Sequence, residues 1–108
     1  MLAQLKRLLG LGGRERRETL ELTVQDQWVL KFLFLARGRA AGQEDIVAAV
    51  MEEKPTLIPH EVVAAIRKLR DLELLERDEL GRYRAAAKAR EIKSILQERP
   101  SVNIDYYG

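Results

Sequence analysis

Residues 70–90 read RDLELLERDELGRYRAAAKAR, and this stretch decides how the chain is organised. Residues 74–77, which begin with a leucine pair, are predicted to form a short strand after a helical segment. Residues 82–84, Arg-Tyr-Arg, are predicted to form the second strand. Residues 78–81 lie between them, and Gly81 can adopt a positive φ at little cost. The pattern predicts a short, charged β-hairpin immediately after a helix.

Three helices are predicted upstream of the hairpin. The first begins near Thr23, which forms a capping-box pattern with Asp26, and Gly38 suits its C-terminal end. The second runs from about Gln43 to Glu53, where acidic residues in the first turn suit a helix N-terminus. The third begins near Pro59, because proline is well tolerated as the first helical residue.

Apolar residues at helical spacing give the candidate core. The first helix contributes Trp28, Val29, Phe32, Leu33, Leu35 and Ala36. The second contributes Ile46, Val47, Val50 and Met51, and the third contributes Val62, Val63, Ile66, Leu69 and Leu72. Trp28 and Phe32 allow two interpretations, core packing and the lining of a ligand pocket, and their place in an apolar helix favours the core.

Residues 23–99 are predicted to form the folded domain, and a fourth helix is expected from about 86 to 99. Its apolar face consists of Ala89, Ile92, Ile95 and Leu96. Residues 1–22 are interpreted as an N-terminal arm that opens with a short amphipathic segment over residues 1–9. Residues 100–108 are interpreted as an extended or irregular tail.

Composition limits the classes of function. A chain of 108 residues is expected to be one domain, and the lack of cysteine excludes disulfides and a thiolate nucleophile. The net charge is only +2, but its distribution is uneven. Residues 1–20 hold five Lys/Arg against two Glu, residues 21–81 eight against twelve acids, and residues 82–99 six against two. Basic charge therefore gathers in the arm and from Arg82 onward.

Catalytic, metal and membrane roles are not indicated. His60 is the only histidine, no second type of metal ligand clusters around it, and no nucleophile–base pair is apparent. The expectation is that the protein is not an enzyme and has no metal or cofactor. The longest apolar run, WVLKFLFLA from Trp28, is too short to span a bilayer and contains Lys31. No signal peptide is recognisable, so a cytoplasmic location is expected.

The order of helix, helix, helix, hairpin and helix is that of a winged-helix domain. The segments EDIVAAVMEEK (44–54), PHEVVAAIRKLRDLELLERD (59–78) and GRYRAAAKAREI (81–92) carry the likeness. They resemble PadR-like and MarR-like bacterial regulators, although Glu73 stands where those families commonly place glycine, and residues 85–89 replace a Leu-Thr-containing step. The resemblance implies a mainly α fold with a small β-hairpin, a winged helix-turn-helix.

The resemblance also implies duplex DNA as the partner, a role in transcription regulation and a homodimer. In such domains the third helix enters the major groove and the wing contacts an adjacent groove or the backbone. Carried over by position, the implied contacts fall into three groups. Bases would be contacted by His60, Glu61 and Ala64, phosphates by Arg67 and Lys68, and the wing contacts would be Arg82 and Arg84, with Lys88 and Arg90 as further backbone contacts.

Other interpretations stay open. The start of the third helix lacks the Arg, Asn and Gln that usually contact bases, which favours a protein-interaction module as the alternative. Arg82 and Arg84 would then only protect a strand edge. Tyr106 and Tyr107 could pack on the domain, bind a protein partner or stay disordered. Residues 1–9 suit a dimer contact, packing on the domain or a membrane surface.

Overall fold

The computed structural model describes residues 17–107, in which three α-helices and two small antiparallel β-sheets surround one hydrophobic core. The strands are β1 (Arg17–Thr23), β2 (Leu75–Arg77), β3 (Tyr83–Ala85) and β4 (Ser101–Tyr107). The helices are α1 (Val24–Leu35), α2 (Gln43–Glu53), α3 (Pro59–Asp71) and a 3₁₀ helix (Ala87–Ile95). The expectation of a mainly α domain, with three helices followed by a β-hairpin, is confirmed. The amphipathic segment predicted over residues 1–9 lies outside the described residues.

The capping box predicted at the start of α1 is confirmed. The Thr23 hydroxyl accepts a hydrogen bond from the Asp26 backbone N–H at 3.3 Å, and the Asp26 carboxylate accepts one from the Thr23 N–H at 2.9 Å. The helix ends at Leu35, and Arg37 and Gly38 both have positive φ values, 52° and 86°. These left-handed residues turn the chain sharply towards α2.

The predicted apolar faces of α1, α2 and α3 form the centre of the core. Leu35, which the pattern also predicts for the core, is the exception, because at the last position of α1 it is 78% exposed. The fully buried side chains include Leu30, Leu33, Ile46, Val50, Ile66 and Leu69. Trp28 and Phe32 are half-buried and pack against this core, as the core interpretation expects. Because α2 and α3 are joined by only five residues, 54–58, their apolar faces turn towards α1 together.

A two-stranded ribbon joins the two ends of the described chain. β1 pairs with β4 in antiparallel register, so that Leu20 lies opposite Ile104 and Leu22 opposite Val102. Leu20, Leu22 and Ile104 are buried in the same core as the helices. Segments that the sequence interpretation divides between an arm and a tail thus contribute side chains to the domain.

The segment after the hairpin is a 3₁₀ helix that ends at Ile95, whereas the sequence pattern predicts an α-helix to residue 99. Ala86, Ala89 and Ile92 are buried at a spacing of three, which matches the three residues per turn of a 3₁₀ helix. Beyond it Leu96 is extended and the chain bends at residues 99–100, where the Gln27 side-chain amide donates to the Arg99 carbonyl at 3.1 Å. This contact ties the bend before β4 to α1.

Candidate nucleic-acid interface

Helix α3 presents a narrow stripe to solvent on the side opposite the core. Val62, Ile66 and Leu69 are fully buried, and His60, Ala64, Arg67 and Asp71 are exposed. Because an α-helix has 3.6 residues per turn, positions 60, 64, 67 and 71 fall on one line. We call these four residues the outer stripe. It contains three of the residues predicted to contact DNA, namely His60, Ala64 and Arg67.

Glu61 and Lys68 lie on the flank of α3 that faces the start of α1. The Glu61 carboxylate accepts a hydrogen bond from the Gln25 side-chain amide at 3.1 Å. The Lys68 ammonium donates to the Asp26 carboxylate at 2.7 Å and to the Glu21 carbonyl at 2.8 Å. Two of the predicted DNA contacts are therefore engaged with the protein itself, beside the outer stripe.

The cations of α3 differ in their surroundings. Lys68 is held by two acceptors, whereas Arg67 and Arg70 are exposed and form no ion pair with any side chain among residues 19–105. A guanidinium without an acidic partner can bind phosphate without first losing an existing interaction. Arg67 is the one of the two that lies on the outer stripe.

The hairpin after α3 is built around Asp78. Its carboxylate accepts hydrogen bonds from the backbone N–H groups of Leu80 at 2.9 Å and Arg82 at 2.8 Å. Gly81, with φ of 80°, supplies the left-handed residue of the turn. The hydrogen bond from the Arg82 backbone N–H is the main reason why the pKa of the Asp78 carboxyl group lies below its ordinary value. Leu80 at the tip is 74% exposed, so the hairpin projects into solvent.

The two predicted wing arginines are exposed and paired. Arg82 Nε lies 3.1 Å from the Asp78 carboxylate, and Arg84 Nε lies 3.2 Å from the Glu76 carboxylate on the opposite strand. Each arginine side chain is 48% exposed. Exposed pairs of this kind contribute about 0–1 kcal/mol, so a phosphate can replace the carboxylate as the partner.

A third strand position extends the hairpin, and the sequence pattern did not indicate it. Ala41, between α1 and α2, forms an antiparallel bridge with Tyr83. The Ala41 N–H donates to the Tyr83 carbonyl at 2.8 Å, and the Tyr83 N–H donates to the Ala41 carbonyl at 2.7 Å. A single paired residue has no periodicity, and periodicity is the signal that identifies strands in a sequence.

Arg77 is a further cation at this interface that sequence reasoning left out of the site. It is exposed, its guanidinium carbon lies 5.9 Å from the centre of the Tyr83 ring, and it pairs with no carboxylate within the described side chains, 19–105. Arg77 and Gly81 line a small open pocket with the first turn of α2. Arg77 lies opposite Tyr83 in the antiparallel pairing of β2 with β3, and this register shows that Arg77 belongs to the candidate site.

The other residues predicted to contact DNA or a protein partner belong neither to the outer stripe nor to the β2–β3 hairpin. Lys88, in the 3₁₀ helix, is half-buried with its ammonium 4.0 Å from the Glu73 carboxylate, and Arg90 is exposed. The backbones of Tyr106 and Tyr107 pair with Glu18 and Arg17 in the ribbon. Binding of a protein partner by these tyrosines stays a prediction.

Within residues 17–107 no group of three His, Asp or Glu side chains is placed to hold a metal ion. None of the helices in this range has the length and apolar character needed to cross a membrane. Comparisons of the chain with protein-family models, with curated proteins and with solved structures found no match.

Proposed function

We propose that this protein is a winged helix-turn-helix protein that binds duplex DNA as a homodimer and regulates transcription in the cytoplasm. In this assignment α2 and α3 are the helix-turn-helix, α3 is the recognition helix and the β2–β3 hairpin is the wing. The observation that carries the proposal is the exposed outer stripe of α3 beside a projecting arginine-bearing hairpin. The Ala41–Tyr83 bridge adds support, because it ties the segment between α1 and α2 to the hairpin and so fixes the hairpin beside the helices.

The dimensions of α3 suit the major groove. The helix has 13 residues, so it is about 20 Å long, and the major groove of B-DNA is about 12 Å wide. His60 and Ala64 occupy its first two turns, which are the turns that contact base edges in helix-turn-helix proteins. A histidine can hydrogen-bond a base, and the Ala64 methyl group can contact the methyl group of thymine. Arg67, one turn further, is placed for a phosphate.

The hairpin supplies the electrostatic part of the interaction. Arg82 and Arg84 would exchange their carboxylate partners for phosphate oxygens, and Arg77 would bind without such an exchange. Each phosphate that is neutralised releases counterions, and this makes the slope of log K against log salt more negative by about 0.9. A pair of such domains would double the contacts, with half-sites about 34 Å apart on one face of the duplex.

The test is selection of bound duplexes from a random pool at low salt, followed by affinity measurement at several salt concentrations. The parent chain should bind, and Arg82→Glu plus Arg84→Glu should lower the affinity at least about tenfold and flatten the salt dependence. The matched control is Arg82→Lys plus Arg84→Lys, which keeps both positive charges and should keep both the affinity and the slope within a few-fold. Equal binding by the glutamate variant would show that the hairpin is not part of the DNA interface.

A protein-interaction module is the second candidate. The ion pairs of Arg82 and Arg84 make the hairpin close to neutral, and Leu80 is an exposed apolar residue at its tip. A neutral surface with an apolar centre suits a protein partner better than a polyanion. If no duplex is retained from the pool at low salt, this function takes the place of DNA binding.

A further inference from the structure

The domain contains an open apolar groove that is lined by none of the residues proposed to contact DNA. It has a volume of about 700 Å³ and runs between α1, α2 and the 3₁₀ helix. Trp28, Phe32, Phe34 and Leu96 contribute to its apolar lining, and Leu35 beside them is 78% exposed. An exposed leucine next to three half-buried aromatic rings forms an apolar patch of the kind that marks an interaction site.

The charged residues of the groove are divided by element. Helix α2 supplies Glu52 and Glu53, whereas Lys31 comes from α1 and Lys93 from the 3₁₀ helix. The Lys31 ammonium lies 4.9 Å from the centre of the Trp28 ring, and the Lys93 ammonium lies 5.5 Å from that of Phe34. None of these four charged side chains forms an ion pair with another side chain in residues 19–105. The groove thus has two cations and two anions available for a partner.

We propose that the occupant of this groove is the same groove of a second copy of the chain. Around a twofold axis the acidic side of one copy faces the basic side of the other, so Glu52 and Glu53 meet Lys31 and Lys93 twice. Leu35, which projects from the end of α1, enters the apolar groove of the partner. The proposal names the contact surface of the homodimer and therefore rests on that part of the proposed function.

Charge complementarity favours this occupant over others. A strongly charged peptide or small molecule that fills the groove would meet two opposite charges on one side but two like charges on the other. A twofold contact satisfies all four charges with one surface, and it covers the aromatic residues and Leu35 in the same step. The α3 outer stripe and the hairpin contribute no residue to the groove, so both remain accessible in such a dimer.

The test is a pair of charge reversals in the full chain. One variant carries Glu52→Lys plus Glu53→Lys, and the other carries Lys31→Glu plus Lys93→Glu. Each alone should raise the dimer dissociation constant at least about tenfold, because both sides of its groove then have the same sign. An equimolar mixture should restore the dimer mass in sedimentation velocity, since one variant is then basic where the other is acidic.

The matched control is Glu44→Lys plus Asp45→Lys, which reverses two adjacent exposed acids at the other end of α2 and should leave the dimer mass unchanged. If a charge variant does not fold, Leu35→Gln replaces it, because Leu35 is already exposed, and it should also weaken the dimer at least about tenfold. The proposal is overturned by a parent chain that stays monomeric, by unchanged mass in both reversals, or by a mixture that stays monomeric.

Acrylamide quenching of Trp28 identifies the occupant. Protection that increases with protein concentration supports the second copy, and protection that stays constant over the concentrations at which the mass changes overturns it. Duplex binding is measured separately. A monomeric parent that binds duplex overturns only this dimer, whereas a dimeric parent that binds no duplex overturns only DNA binding.

Discussion

The ammonium of Lys68 lies 2.7 Å from the carboxylate of Asp26, and this ion pair ties α3 to the start of α1. The Asp26 side chain is 2% exposed and the Lys68 side chain 41% exposed. The same ammonium donates to the Glu21 carbonyl in β1. Lys68 therefore joins three elements, and the position of the outer stripe depends on this contact.

Replacement of Lys68 by methionine should destabilise the fold. The Asp26 carboxylate would stay buried without its counter-charge, so we expect the free energy of unfolding to fall by about 2 kcal/mol. Urea denaturation measures this change. Arg67→Met is the matched control, because Arg67 is exposed, and it should change stability by less than about 0.5 kcal/mol while it weakens duplex binding. A larger loss of stability in Arg67→Met than in Lys68→Met would contradict this division of roles.

Replacement of Glu73 by glycine should stabilise the protein. Glu73 has φ of 65°, and the Leu74 N–H donates to the Leu69 carbonyl at 2.9 Å, as in a helix end that normally requires glycine. Relief of the left-handed strain, less the added freedom of the unfolded chain, should gain about 0.5–1 kcal/mol in thermal or urea unfolding.

Gly81→Ala provides the opposite case for the same measurement. Gly81 also has a positive φ, of 80°, and an added Cβ would lie 3.3 Å from an Arg77 side-chain nitrogen. We expect this change to cost about 1 kcal/mol. If both variants shift stability in the same direction, backbone conformation does not explain the residue at position 73.

The sequence predicts those elements of the fold that have a local signal. Three such signals are found where they are expected, namely the capping box of Thr23 and Asp26, the first helical residue Pro59 and the turn at Gly81. Each of them involves only residues a few positions apart in the chain. The ribbon depends on the pairing of Leu20 with Ile104, which are distant in the chain, and no local pattern shows that pairing. The 3₁₀ helix was missed because a repeat of three and a repeat of 3.6 agree over so short a segment.

The candidate site shows the same limit. Helical spacing alone places His60, Ala64 and Arg67 on one exposed line of α3. It cannot show that Lys68 meets Asp26, because that contact depends on how α3 packs against α1. The availability of each arginine likewise depends on partners across a strand or turn, which is why Arg77 was left out of the predicted site.

Removal of the carboxylates that hold the hairpin arginines should strengthen duplex binding. Glu76→Gln plus Asp78→Asn leaves Arg82 and Arg84 without acidic partners, and the introduced asparagine side chain would keep an oxygen for the turn N–H groups of Leu80 and Arg82. We expect the affinity to rise about 3- to 30-fold at low salt, with a steeper salt dependence. Glu91→Gln plus Asp105→Asn is a control that removes the same charge at exposed positions outside the hairpin and α3, and the asparagine keeps an oxygen for the Thr19 hydroxyl. An equal rise in the control would show a general charge effect and would contradict a specific role for the hairpin.

Acidification should weaken the contact between Trp28 and Glu98. The Lys54 ammonium lies 2.7 Å from the Glu98 carboxylate, and the Trp28 indole N–H donates to it at 2.8 Å. The hydrogen bond from Lys54, followed by that from Trp28, lowers the pKa of Glu98 below its ordinary value. A lowered pKa means that the contribution to stability is present above the unfolded-state pKa, about 4.3, and is lost as pH falls through the lower folded value.

Fluorescence follows this titration directly, because Trp28 is the only tryptophan. We expect a change in its emission with a midpoint below pH of about 4.3, and Glu98→Gln should remove that step because glutamine does not titrate in this range. Glu91→Gln, at an exposed glutamate of the same region, should leave it in place. A step that survives in Glu98→Gln would have to come from another carboxyl group. A midpoint above the ordinary value would mean that protonated Glu98 is the form that the fold prefers, which is inconsistent with the contacts of Lys54 and Trp28.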